Sequence, residues 1–209
     1  AKFGDAQAAI NLVEEVGKGT PLGRILGSGA GLTGKVFGVE RVPVVKNQAM
    51  PAYDPRGVQG IGVTYATTTQ GADHTAGYAV TANILGVGGK VDALKPAGQV
   101  ELSRNLQIAT AAIDSTGMCL FIAFAILDQP ETFQALLDLL GSFGGQKLTG
   151  DDVVGLGKSI LKMEREFNTK AGFTKEMDRL PDYFKKEKLA PHNVTFMVTD
   201  SELDQVYNW

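Results

Sequence analysis

The apolar positions of this chain change character near Pro96. After it they recur at helical spacing. Val100, Leu102, Leu106, Ile108 and Ala109 predict a helix to about Ile113, and a second apolar helix follows Cys119. Pro130-Glu131-Thr132 opens a third, carrying Phe133, Leu136, Leu137 and Leu140 to a stop at Gly141. Thr149 caps a fourth, with Asp151 and Asp152 in its first turn and Lys170 near its end, the charge order a helix dipole favours. Val153, Leu156, Ile160, Met163 and Phe167 mark its expected buried face, and a terminal helix is expected from Ser201, capped by Asp200.

Before Pro96 the signals are weaker. Asp5 caps a helix whose stripe, Ile10, Val13 and Val16, ends at Gly17-Lys18-Gly19, and Thr20-Pro21 starts another. Gly27 to Gly38 reads as a short, loosely packed helix or a loop, and Val42-Pro43-Val44-Val45 as a short extended piece. From Met50 to Gly89 glycines recur so often that long regular elements are not expected. The pattern predicts an all-α, multi-helical fold, with irregular or extended pieces near 42–46 and 194–199.

Composition narrows the function classes. A chain of 209 residues can form one or two domains with a sizeable core. Its net charge of −3 supplies no basic stripe, so no nucleic-acid partner is expected. The longest apolar run, Met118 to Leu127, falls short of the roughly 20 residues a bilayer requires, so no membrane partner is expected. No signal peptide is visible, and the single cysteine suits a reducing cytoplasm. The chain opens abruptly in a helix approach and reads as a piece of a longer protein.

Several stretches carry candidate chemistry. Gly29-Ala30-Gly31-Leu32-Thr33-Gly34-Lys35-Val36 imitates a phosphate-binding loop, but Val36 replaces the magnesium-holding hydroxyl and no strand leads in, so that reading is rejected. His74, in Gly71-Ala72-Asp73-His74 with Thr75 and Tyr78 close by, is a candidate proton donor or acceptor, set against an ordinary loop histidine. His192 is left structural, and neither histidine has the neighbours a self-contained zinc site needs. Asp54 before Pro55 reads as a helix cap. Gly60-Ile61-Gly62-Val63-Thr64-Tyr65-Ala66-Thr67 suits close packing against a helix or a bulky cofactor. Cys119, alone, packs by default like a small hydrophobe, yet it ends a turn that begins with Asp114.

Four ordered segments together carry a resemblance: Pro51-Ala52-Tyr53-Asp54-Pro55-Arg56-Gly57, Gly60 to Thr67, Gly71-Ala72-Asp73-His74 and Asp114-Ser115-Thr116-Gly117-Met118-Cys119. They resemble the C-terminal half of aldehyde ferredoxin oxidoreductases, tungsten (or molybdenum) enzymes with two pterin cofactors and a [4Fe-4S] cluster. The resemblance implies that Cys119 is one cluster ligand. It also implies that Asp114, Gly117 and Met118 bind a pterin through the carboxylate and backbone groups, and that His74 acts near the metal. Gln70 stands where many members carry arginine, a departure that bears on a pterin phosphate contact, and Lys170 and Lys175 stand where arginines are expected.

The family's other cluster cysteines and its pterin-cradling β domain do not occur in this sequence, so the fragment alone is expected to be inactive. On this resemblance residues 1–45 end the middle helical domain and 46–209 form the C-terminal one. The implied partners are ferredoxin, a small aldehyde, the protein's own N-terminal domains and, in full-length form, a second copy. The alternatives are a helical packing or interaction module without chemistry, or a relative acting on another carbonyl or thioester substrate.

Overall fold

In the computed structural model, which describes residues 2–209, the core is organised around a short helix, α4 (Gln59–Thr67), whose nine residues are all buried. Glycine makes this possible. A Cβ at Gly60 would lie 2.5 Å from Gln99 Oε1, and one at Gly62 would collide with the ring of Phe196. The glycines that argue against regular structure between Met50 and Gly89 are therefore what lets a helix be packed on every side. The apolar contacts of α4 come from Ile61, Val63, Tyr65 and Ala66, against Leu180, Phe184, Phe196, Val198, Leu203 and Val206 of the C-terminal segment.

The other side of α4 meets α5 (Gln99–Ser115) across a polar seam. Thr64 Oγ1 and Ser103 Oγ share a 2.8 Å hydrogen bond, and Gln107 Nε2 donates to Thr67 Oγ1 and Ser103 Oγ, both at 3.0 Å. Tyr207 closes the seam by donating to Gln107 Oε1 at 2.7 Å and Thr67 O at 2.9 Å. Buried polar side chains cost little when each finds a partner, and these do.

The remaining helices follow the sequence signals closely. Asp5 and Thr20 cap α1 (Ala6–Lys18) and α2 (Pro21–Gly27) with their side chains. The segment that imitates a phosphate loop lies inside α3 (Gly29–Phe37). A hairpin of β1 (Val44–Val45) and β2 (Gln48–Ala49) turns through Lys46 and Asn47, both at positive φ. Beyond α5 come α6 (Ile122–Asp128), α7 (Pro130–Gly144) and α8 (Gly150–Lys170), which runs along α5 and opens with a Thr149–Asp152 capping box. Two short helices, α9 (Tyr183–Lys186) and α10 (Asp200–Leu203), lie in the closing segment.

Four local expectations are corrected. The α7 helix runs past Gly141 to Gly144 and stops at Gly145, which takes the left-handed conformation at φ 68°. Thr199, not Asp200, caps the last helix, because its hydroxyl accepts from Glu202 N while the Glu202 carboxylate takes Thr199 N–H. Asp54 caps no helix; its carboxylate is held by the Arg56 guanidinium at 2.9 and 2.7 Å, an ion pair that closes the proline turn. The α8 face turned to α5 carries Gly157 and Leu161, while Leu156, Met163 (60 % exposed) and Phe167 (72 % exposed) point away from that packing.

Candidate functional site

The misassigned face of α8 leads to the site. A cleft of about 570 Å3 opens between the end of α5, the middle of α8 and the segment leaving α4. Gln107, Thr110 and Asp114 line it from α5, Met163, Glu164, Phe167 and Asn168 from α8, and Thr68, Thr69, Gln70 and Ala76 from the connecting segment. That segment is tied to α8: Asn168 Nδ2 donates to Thr69 O at 2.6 Å, and the Thr69 hydroxyl donates to Glu164 Oε2 at 2.7 Å.

Asp114 sits in the last turn of α5, where no basic residue answers the helix dipole. A carboxylate there is disfavoured by about 0.3–1 kcal/mol. Asp114 is exposed at the cleft rim, yet desolvation by the groups around it, and then the charges of Asp73 and Glu164, push its carboxyl above the usual carboxylate range. It is an acceptor with every reason to seek a donor. The turn that follows presents acceptors as well. Gly117, at φ 74°, spends its N–H on Asp114 O (3.1 Å), and the Met118 N–H goes to Thr116 Oγ1 (3.3 Å). With those N–H groups occupied, and the Ser115 and Thr116 hydroxyls bonded to backbone carbonyls, the turn's remaining polar groups are carbonyl oxygens and the Asp114 carboxylate. Cys119 is exposed at its end, just before α6, and its carbonyl accepts from Ile122 N at 3.0 Å.

His74 hangs from the same connecting segment. Asp73 shapes that turn by accepting from Ala76 N (3.0 Å), the Thr75 hydroxyl (2.7 Å) and Gln70 Nε2 (2.7 Å). The imidazole centroid lies 5.8 Å from that of Tyr53, edge-on, and 5.7 Å from that of Tyr78. Its Nδ1 is buried and has no hydrogen-bond partner among the described residues, the nearest carboxylate oxygen being Asp73 Oδ1 at 3.9 Å. The Tyr53 and Tyr78 hydroxyls share a 2.5 Å hydrogen bond. Burial and that bond push the Tyr78 phenol up to about 12. Tyr78 in turn packs edge-on against Phe124 of α6, centroid to centroid 6.0 Å, which joins the histidine cluster to the helix that follows Cys119.

The structure thus gathers the residues singled out in the sequence into one region without merging them. Asp114 lies in the cleft with Gln70 and Ala76; His74 lies in the adjoining aromatic cluster; Gly117, Met118 and Cys119 continue from the Asp114 rim. Residues 1–209 match the family model described as aldehyde ferredoxin oxidoreductase, domains 2 and 3. The chain belongs to the aldehyde ferredoxin oxidoreductase family.

Three relatives place it within that family. The tungsten-containing aldehyde ferredoxin oxidoreductase of Pyrococcus horikoshii is 34 % identical over 191 residues, 90 % of this chain and 31 % of that protein. The proteins of the same name from Pyrococcus furiosus and Pyrococcus abyssi are 31 % and 32 % identical over the same shares. The chain therefore spans 31 % of the length of the curated relatives it matches. Among the described residues no group of three or more histidines, cysteines or acids is placed to hold a metal ion, and no helix is long and apolar enough to cross a membrane.

Sequence reasoning passed over three residues of this candidate site. Glu164 and Gln107 are ordinary polar positions on helices until the fold turns them toward Asp114. Tyr78 is noticed only as a neighbour of His74, although its hydroxyl bond to Tyr53 builds the cluster. The one usable signal lay in α5 itself, which ends on an acid with no base, against the dipole rule.

Proposed function

We propose that this chain is the C-terminal helical part of a tungsten (or molybdenum) bis-pterin oxidoreductase that oxidises small aldehydes to carboxylic acids and passes the electrons to ferredoxin. The observation that carries the reading is the Asp114 cleft. Its acceptor groups crowd together, with a carboxyl already pushed upward, and they face apolar side chains of α8 that stay exposed. A flat heterocycle with N–H donors fits that arrangement, since the donors satisfy Asp114 and the ring covers Met163 and Phe167. A pterin has both properties.

When bound, the metal–pterin group would supply two-electron redox chemistry, and a [4Fe-4S] cluster would supply one-electron transfer. The roles of this chain follow from its own groups. Asp114 accepts from the pterin ring, and the carbonyls of Gly117 and Met118 add to that acceptor edge. Cys119, exposed and immediately beyond, supplies one thiolate to the cluster, whose other ligands come from outside this chain. His74 holds or moves a proton near the substrate carbonyl, its ring fixed by Tyr53 and Tyr78. Gln70, bonded to Asp73 where the resemblance leads one to expect arginine, brings no positive charge to this wall.

Residues 1–45 are assigned to the end of the middle domain and 46–209 to the C-terminal domain. The whole protein is assigned to the cytoplasm, with its own N-terminal domains as the first partner. The experiment is an aldehyde panel with a viologen acceptor on the full-length protein, comparing wild type with His74→Ala. Aldehyde-dependent dye reduction that falls about 100-fold in the variant, with tungsten still bound, supports the reading. No reduction with any aldehyde, or an unaffected variant, overturns it.

A further inference from the structure

Lys46 stands outside the cleft and outside every motif described above, yet its side chain is only 4 % exposed. It occupies the first position of the hairpin turn at φ 50°, a conformation that lysine adopts reluctantly. Its ammonium group carries three hydrogens and spends all of them. It donates to Ala66 O and Thr68 O, each at 3.0 Å, and pairs with Asp178 Oδ1 at 2.6 Å. The two carbonyls belong to the C-terminal end of α4, which has no basic residue of its own in its last turn. A hairpin some twenty residues upstream therefore supplies the cation that this helix end lacks.

Asp178, itself buried, carries the connection onward. Its second oxygen accepts from Arg165 Nη1 of α8 at 3.1 Å, and the Arg165 guanidinium lies over the ring of Tyr207, 4.2 Å from the centroid. The hairpin also presses directly on the loop beyond the cleft wall. A Cβ at Gly71, which is at φ 96°, would lie 2.6 Å from Val45 O. Thr68, Thr69 and Gln70 form that wall, and His74 follows four residues later.

We infer that Lys46 is a positioning residue, a buried latch joining the hairpin, the end of α4 and, through Asp178, α8, so that the cleft wall and His74 are held in register with Asp114. Asp178 and Arg165 are the charged groups that face it, with Lys175 at the edge of the same pocket. The catalytic part of this inference rests on the function proposed above; the mechanical part does not.

The test uses the full-length protein with Lys46→Met, which keeps the length and removes the donors, and Lys46→Arg, which restores charge and donors. Hydrogen exchange at the amides of residues 68–74 should rise about tenfold or more in Lys46→Met, while α5 and α8 exchange as in wild type. Turnover should fall about tenfold at unchanged tungsten content, and Lys46→Arg should recover most of both losses. Unchanged exchange in that segment, or a rise spread evenly over the chain with no rescue by arginine, overturns the inference. If the wild-type protein oxidises no aldehyde, the proposed function falls while the exchange data still decide the latch. If Lys46→Met does not fold, Asp178→Asn takes its place, and an unmoved 68–74 segment in that variant is equally decisive against it.

Discussion

Tyr53 and Tyr78 are joined hydroxyl to hydroxyl at 2.5 Å, and the ring of His74 lies against both. The bond favours the protonated phenols, which together with burial puts Tyr78 at about 12. The sign of the resulting pH effect is fixed. Tyr78 holds its proton in the folded chain above the ordinary value of 10.0, where the unfolded chain has released it. The stability it contributes is therefore complete below pH 10 and is lost as pH rises through about 12. Burial raises Tyr65 and Tyr207 in the same direction. Urea unfolding across this range should show stability falling with pH, and Tyr78→Phe should flatten the slope. A slope identical in wild type and variant would remove Tyr78 from the account.

Asp114 invites the opposite experiment. Its carboxyl, though exposed, is raised by local desolvation and by the charges of Asp73 and Glu164, so its ionised form is a liability in the folded chain. That liability is absent below the ordinary carboxylate range and grows as pH rises through the elevated value. Asp114→Asn should stabilise this chain at neutral pH, by about 0.5 kcal/mol on the helix-dipole scale, or roughly 1–2 °C in melting temperature for a chain this long. The same substitution should weaken pterin retention in the full-length protein, because the charged acceptor is gone. A gain in stability paired with a loss of cofactor would mark Asp114 as a residue kept for function at a cost in stability. Lower stability in the asparagine variant would show that the carboxylate is serving the fold instead.

How far the sequence could carry this picture depended on which side of each element faces protein. The helices α5, α7 and α8 were legible because they have caps, breakers and a 3.6-residue stripe. The central helix α4 was not, because burial on every side erases the alternation that periodicity detects. On α8 the stripe was real but its meaning was wrong: Met163 and Phe167 line the cleft wall, and the contact with α5 runs through Gly157, a residue with no hydrophobic signal. His74 and Cys119 were singled out by residue chemistry, while the roles proposed for them and for Asp114 came from the ordered motifs. Lys46 had no signal at all, since its weight comes from two carbonyls and a carboxylate that only the fold delivers.

The α5–α8 contact offers a packing test. Gly157 lies so close to the Ile108 carbonyl that an added Cβ would overlap it, and the nearest atoms are backbone that cannot turn aside. Gly157→Ala must push the helices apart, despite alanine's better helix propensity, and overpacking of this kind costs about 1–3 kcal/mol. Gly155, two residues away on the far face of α8 with open space around it, is the control: Gly155→Ala should stabilise by roughly 0.5–1 kcal/mol. Chemical denaturation of the pair decides it. Equal effects at the two positions would mean that α8 does not rest on α5 as described.

Cys119 tests the boundary between this chain and the rest of the protein. The thiol is exposed, lies at the end of the Asp114 turn, and is the one cysteine of the sequence. A structural cysteine would be buried, and its replacement by serine would lower stability by leaving a hydroxyl among apolar groups. An exposed one gives no such penalty, so Cys119→Ser should leave the melting temperature of this chain within about 2 °C of wild type, as for surface substitutions generally. In the full-length protein the same change should deplete iron and alter the cluster spectrum, because serine is a poor replacement for a thiolate ligand. The two measurements separate the explanations cleanly. A destabilised chain with iron intact would return Cys119 to core filler, whereas an unperturbed chain with a damaged cluster would place the electron path one turn away from the proposed pterin contact at Asp114.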